Sequence, residues 1–308
     1  MSGVDNQTVI SQEELLEQLV RHKLLMRTHA QGVYGRSGLF EEIVDGIERV
    51  VTGFGASEQA ERWRFPPALP RPDFEQSGYL ESFPQLVGTV SAFAGNERDQ
   101  QKLLARVHEG GDWSEFQKMT GVVLTPAACY PLYPQCTGTL PPGGRTFDVQ
   151  SYCFRNEPSL DPARMQMFRQ REYVCIAEAG KVRAFKERWM LRGRELLAAL
   201  GLGAAAEPAS DPFFGRGGKI LAANQVEQRL KFELLFPITS VEKPTALVSI
   251  NHHLDHFGDL FRIQTSAGEK AHTSCIGFGL ERITLALLKT HGFFPAAWPA
   301  DVRARLWP

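Results

Sequence analysis

The chain has 308 residues, 43% hydrophobic and 22% charged, with a formal net charge of −1 and a pI of about 6.7; these values exclude a disordered or fibrous chain and leave room for a large core. A protein whose main partner is a long polyanion carries a basic balance, so a dedicated tRNA binder is disfavoured. Five cysteines (Cys129, Cys136, Cys153, Cys175, Cys275) are too few and too scattered for a secreted disulfide framework, and the start MSGVDNQTVISQEELLEQ has neither a basic opening nor an apolar stretch. With no run long enough to span a bilayer, the expectation is a cytoplasmic protein with reduced thiols and no membrane partner.

In chain order, Ser11 and Glu14 have capping-box spacing ahead of an amphipathic helix through Leu15, Leu16, Leu19, Val20 and Leu24. Phe40, Ile43, Val44, Ile47, Val50 and Val51 repeat with helical spacing and predict a second helix. Within 59–70, Arg62 and Arg64 alternate with Trp63 and Phe65 before a double proline, which predicts a short strand ending at Pro66. Strand-like stretches follow at 146–157 and 164–176, then a long helix from Arg183 to Leu200 that stops at Gly201. AAAEPASDP reads as a loop, and further strands are predicted at 231–237, 245–251 and 259–265. Most of the connections are too short for crossover helices, so the fold class is α+β with one antiparallel sheet flanked by helices. The division expected is an N-terminal helix and loop over 1–37 and one catalytic domain over 38–308.

The segment FRNEPSLDPARMQMFRQREYV (154–174) carries the chemistry. If 147–157 is a strand, Arg155 and Glu157 share one face of it, and if 164–173 is another, Arg164, Phe168 and Glu172 share one face as well. A hairpin turned by the proline-bracketed PSLDPA would then present arginines, carboxylates and a ring on one surface. Such a surface suits a nucleotide: guanidinium groups fork onto phosphates, a ring stacks on a base, and a carboxylate accepts from an amino group. An ordinary solvated hairpin has the same pattern on this segment alone. Farther on, GFGLERITLALL sets Gly277 and Gly279 before a helix with Arg282 in its first turn, where backbone N–H groups and the helix dipole favour phosphate.

In this order and separation the two segments resemble the second and third signature motifs of class II aminoacyl-tRNA synthetases, and Phe40 to Pro66 resembles the first. The resemblance covers most of the chain from about residue 38 and implies a homodimer built on the first motif. It implies that Arg155 holds the ATP α-phosphate and the substrate carboxylate, that Phe168 stacks on adenine opposite Arg282, that Glu157 accepts from the adenine amino group, and that Arg164 and Arg282 bind the outer phosphates. Within the class, the chain is similar to the zinc-dependent seryl-tRNA synthetases of methanogens. That likeness implies a zinc held by Cys129, Glu172 and Cys275, with an open position for the substrate amine. Cys136 lies close enough in sequence to replace Cys129, and buried free cysteine is as a rule merely a small hydrophobe. His252, His253 and His256 are read as structural or site-lining.

Two departures stand out. Seryl enzymes of the usual type have a magnesium-binding glutamate near ALVSINHH, where this chain has none, and nothing before residue 38 exceeds a helix and a loop where those enzymes carry a tRNA-gripping domain. The truncated core resembles the amino acid:[carrier protein] ligases, which implies a reaction using ATP with magnesium, a small amino acid (glycine or alanine) and the phosphopantetheine thiol of a carrier protein; tRNA is not expected as a partner. A minimal seryl-type paralogue or a non-catalytic amino acid- or nucleotide-binding regulator are the alternatives. Arg216, Lys219 and Arg229, near the ends of a helix predicted from Lys219 to Leu230, are the expected basic patch for an acidic carrier.

Overall fold

A computed structural model describes residues 10–308; part of the segment expected to lack a targeting signal lies outside them. A seven-stranded sheet organises the chain. Its strands are β1 (Glu61–Arg64), β2 (Arg145–Phe154), β3 (Met167–Ala177), β4 (Ala205–Pro208), β5 (Lys231–Phe236), β6 (Thr245–Leu254) and β7 (His272–Gly279), in the order β4-β5-β6-β7-β3-β2-β1. Every pairing is antiparallel except β1 with β2, which is parallel. The expectation of an antiparallel sheet holds for the six-strand body and fails at this edge.

Strand periodicity sends alternate residues of the sheet to two cores. On one face Tyr173 and Cys175 of β3, Val248 and Ile250 of β6, and Ile276 and Phe278 of β7 pack with helices α1 (Gln12–Arg21), α2 (Gly38–Gly55), α3 (Ala179–Ala199) and α5 (Leu280–His291). Ser11 caps α1 by accepting from the Glu14 N–H, and Phe40, Ile43, Val44, Ile47, Val50 and Val51 are all buried on α2, as the periodicity requires. On the other face Phe147, Val149, Val174 and Ile176 pack with Cys129, Leu132, Tyr133 and the helix His256–Leu260. No helix among the described residues is long and apolar enough to cross a membrane.

Several boundaries differ from the sequence reading. The stretch 259–265 is the end of that short helix and a two-residue strand, Ile263–Gln264, whereas the segment before Arg282, not among the expected strands, is the central strand β7. AAAEPASDP contains the edge strand β4, whose four residues pair with β5. The helix expected from Lys219 to Leu230 is α4, Gly215–Glu227. A separate three-stranded sheet (Ala68–Pro70, Thr89–Phe93, Gln117–Leu124) with the helix Glu97–His108 has no counterpart in the sequence reading. That helix buries no residue, and its Leu104 and Val107 are exposed.

Candidate active site

The registers of four neighbouring strands assemble the floor of the pocket. Glu233 of β5 faces Ser249 of β6, Ser249 faces Gly277 of β7, and Gly277 faces Glu172 of β3; one row over, Lys231, Asn251 and Cys275 are likewise cross-strand partners. Residues directly opposite share a face, so polar side chains from four strands converge on one cleft. A Cβ at Gly277 would lie 3.4 Å from the Glu172 side chain and 3.5 Å from the Ser249 hydroxyl, so glycine keeps the floor open.

At one end of the cleft, Cys129, Glu172 and Cys275 bring ligand atoms to within 4.8 Å of one another, the one such His/Cys/Asp/Glu group among the described residues. Each is at most 3% exposed, and Glu172 Oε1 has no hydrogen-bond partner. The Cys129 thiol is pushed up, first by its hydrogen bond with Cys275 and then by burial. Burial raises the Glu172 carboxyl. The Cys275 thiol also lies above its usual value, as burial and the Glu172 charge outweigh the lowering by its hydrogen bond with Cys129. Three buried acids that resist ionisation side by side, one oxygen unpaired, are a donor set that a divalent cation would satisfy, and two sulfurs with one oxygen suit zinc. Cys136 is buried outside this group, as are Cys153 and Cys175.

The histidines part company. His253 lines the cleft, with Nδ1 2.9 Å from the Thr273 hydroxyl and Nε2 3.9 Å from Cys275 Sγ, and burial pulls it down to about 3. His252 points to the other face, while His256 opens the short helix. None of the three joins a metal-ligating group among the described residues.

The other end is cationic. Arg155 holds its guanidinium 5.4 Å from the Phe168 ring centroid, and its Nε donates to the Pro126 carbonyl at 3.3 Å. Arg282 donates to the Ala163 and Ala246 carbonyls at 2.9 and 3.0 Å. Burial, then the neighbouring Arg155 and Arg164 charges, draw the Arg282 pKa down, so the crowded guanidinium groups favour an anionic ligand. The first turn of α5 is fixed by Glu281, which accepts from the Arg169 backbone N–H and Nε at 2.8 Å each; Arg169 also pairs with Glu41 of α2. Arg155 and Glu157 lie past the end of β2 and Arg164 lies before β3, so the shared strand faces expected for them are not formed. They still reach the cleft, where Arg164 at the exposed rim pairs with Glu157 at 3.5 Å.

Sequence reasoning did not single out Tyr79, Tyr130, Gln170, Asp211, Lys231, Glu233, Ser249 or Asn251 as cleft residues. The available signal was the period-2 polar pattern of Lys231/Glu233 and Ser249/Asn251/His253 within otherwise apolar strands. Arg216 and Lys219 lie in the first two turns of α4, outside the cleft, and Arg229 lies two residues beyond its end, over the Phe232 ring at 5.3 Å.

No protein-family model matches the sequence. Amino acid–[acyl-carrier-protein] ligase 1 of Bradyrhizobium diazoefficiens is 46% identical over 283 residues, covering 91% of this chain and 86% of that protein. Ligase 2 of the same organism is 46% identical over 274 residues, covering 88% and 82%. The type-2 serine–tRNA ligase of Methanopyrus kandleri is 26% identical, covering 88% of this chain and 55% of its own length. Among solved structures, M. kandleri seryl-tRNA synthetase in complex with Aquifex aeolicus tRNASec superposes with a TM-score of 0.79 at 19% identity, over 99% of this chain and 62% of that one. The serine–tRNA ligase of Naegleria fowleri superposes with 0.71 at 13% identity. The fold is therefore that of the class II aminoacyl-tRNA synthetases, and the identity and coverage of the two Bradyrhizobium proteins place this chain in the amino acid–[acyl-carrier-protein] ligase family.

Proposed function

We propose that the protein uses ATP to activate a small amino acid, glycine or alanine, as its adenylate and passes the aminoacyl group to the phosphopantetheine thiol of a carrier protein. The observation that carries this reading is the placement of a buried Cys129–Glu172–Cys275 donor set and the Arg155/Arg282 cations in one cleft. Arg155 bridges the substrate carboxylate and the α-phosphate. The carboxylate oxygen attacks the α-phosphorus, the bond to the bridging oxygen breaks, and pyrophosphate leaves against Arg164 and Arg282. The thiol then attacks the carbonyl carbon and AMP departs. No protein nucleophile is used; positioning and charge neutralisation supply the catalysis. Phe168 and Arg282 sandwich the adenine, and Glu157 accepts from its amino group once released from Arg164.

Zinc, held by Cys129, Glu172 and Cys275, would supply a Lewis-acid position for the neutral substrate amine. Around that end Tyr79, Tyr130 and Phe257 form an edge-to-face wall with centroids 5.4 and 5.6 Å apart, which suits a small side chain. Magnesium enters with ATP; Glu233, cross-strand from Ser249, offers this face the carboxylate that β6 lacks.

The carrier docks on α4. Phe214, Ile220, Leu221 and Val226 are exposed there beside Arg216 and Lys219, and cations early in a helix oppose its dipole, a cost that a partner's acidic side chains would offset. Arg229 flanks the same surface. The protein works in the cytoplasm as a homodimer built on α2 and β1, with 38–308 as the catalytic domain and 1–37 as its appendage.

Amino-acid-dependent ATP–pyrophosphate exchange, followed by transfer assays, tests the reading. Exchange should be driven best by glycine or alanine, with label passing to holo-carrier; exchange driven best by serine with label passing to tRNA would refute it.

A further inference from the structure

Helix α4 is poorly anchored for a docking surface. Gly218 is its one buried residue, held where a Cβ would lie 2.7 Å from the Phe213 backbone. Phe213 in turn stacks on Phe83 at the mouth of the cleft, with centroids 5.1 Å apart. With its large apolar side chains exposed, the helix gains little from the hydrophobic burial that fixes most helices.

What fixes its second half is polar. Gln225 forms a two-point clamp with Asp211: the Asp211 N–H donates to Gln225 Oε1 at 2.7 Å, and Gln225 Nε2 donates to Asp211 Oδ2 at 2.8 Å. The other carboxylate oxygen, Oδ1, accepts from Lys231 Nζ at 2.6 Å, and Lys231 lies 3.1 Å from Glu233. Asp211, Lys231 and Glu233 all line the cleft, whereas Gln225 does not. A chain of short, charge-assisted bonds therefore runs from the outer helix to the cleft wall.

We infer that Gln225 is a positioning residue for the transfer half-reaction, seating α4 against Asp211 so that a carrier docked on the helix presents its thiol to the cleft in one register. The inference rests on the reading of α4 as the carrier surface. A seat of this kind sets the orientation of the arm at the moment of attack, so its loss lowers the transfer turnover more than the affinity for carrier. Adenylate formation needs neither the helix nor its register.

The experiment compares wild type, Gln225→Leu and the exchanged pair Asp211→Asn/Gln225→Glu, in which the carboxylate and amide trade places and both clamp bonds can re-form. Three quantities are read: pyrophosphate exchange, kcat and KM for holo-carrier loading, and amide hydrogen exchange across 215–227. For Gln225→Leu, the carrier kcat should fall at least tenfold with KM changed less than threefold, pyrophosphate exchange should stay within twofold, and exchange at 215–227 should quicken at least tenfold. The exchanged pair should recover both the slow hydrogen exchange and most of the carrier kcat. Equal loss of adenylation and loading, or a loss confined to KM, would overturn the inference. If wild-type enzyme adenylates an amino acid but loads no carrier, the functional reading fails. The clamp is then judged on hydrogen exchange alone, and unchanged exchange in Gln225→Leu would overturn it.

Discussion

The floor of the cleft and the helix α4 are opposite solutions to placing functional groups. Cys129, Glu172 and Cys275 are at most 3% exposed, with Glu172 and Cys275 fixed by the strand register and Cys129 opening the 3-10 turn Tyr130–Cys136, whereas Ile220 and Leu221 on α4 are 66% and 49% exposed. A site built on a central sheet inherits its precision from backbone hydrogen bonds shared with the whole core, so one substitution there removes chemistry without moving its neighbours. Helix α4 is held at its start by the Phe214 N–H on the Ser82 carbonyl and by Gly218 against Phe213, and farther along by the Gln225–Asp211 clamp, and its large apolar side chains face solvent. Under the proposed function, chemistry on the floor and carrier recognition on the helix can then be broken separately.

The largest separation comes from Arg155→Ala. Removing the cation proposed to span both reacting groups should cost about 3 kcal/mol or more of transition-state stabilisation, at least ~100-fold in pyrophosphate exchange, with the circular-dichroism melt unchanged. Wild-type exchange by the folded variant would remove Arg155 from the chemistry.

Next is the donor set. Purified protein should hold about one zinc per chain by elemental analysis. Cys275→Ala should weaken zinc in chelator competition by more than the roughly 100-fold that follows loss of a supporting hydrogen bond. Zinc retained at full affinity by that variant would exclude the thiol as a ligand.

The reverse face of the floor gives a pH signature. Burial, then the Lys186 charge, pulls His252 down to about 4, so between pH 6.5 and 4 the unfolded chain binds a proton that the folded one refuses. The stability contributed by the neutral ring is present above pH 6.5 and is lost as pH falls towards 4, by roughly 3 kcal/mol. His252→Gln should flatten that part of the urea-midpoint profile; an unchanged slope would assign it to other groups.

The smallest effect is expected on the helix. Arg216→Glu/Lys219→Glu should weaken carrier loading by roughly tenfold at low salt, on the order of 1 kcal/mol, and the deficit should shrink as ionic strength rises. Pyrophosphate exchange should not move. A fall in both activities would mean that these charges serve the cleft.

How much of this was legible beforehand follows the same division. Arg155, Phe168, Glu172, Cys275 and Arg282 announce themselves because a short hairpin and one strand–helix junction bring them together, and the spacing of such local units survives in sequence. The six antiparallel strands could be argued from short connections, yet β7 was not among the strands expected, because Gly277 and Gly279 drew attention only as the approach to the helix that follows. Asp211 and Lys231 were not found because their partnership spans 20 residues and depends on an edge strand read as a loop. Glu157 and Arg164 were assigned separate tasks, and their mutual pairing at the rim appears only in three dimensions. The helix Glu97–His108 buries no residue, and the three strands of its small sheet bury only Leu69 and Val123, so no strand of that sheet shows a regular buried face.

The claim that joins the two regions is that an adenylate made on the floor leaves through α4 to a carrier thiol. It is tested most directly by single turnover: enzyme preloaded with ATP and labelled glycine or alanine is mixed with equal amounts of holo-carrier protein and tRNA, and both products are followed by mass. The account predicts one aminoacyl group on the carrier thiol, labile to hydroxylamine, with AMP released in step and tRNA uncharged. Label appearing on tRNA while the carrier stays unmodified would contradict it.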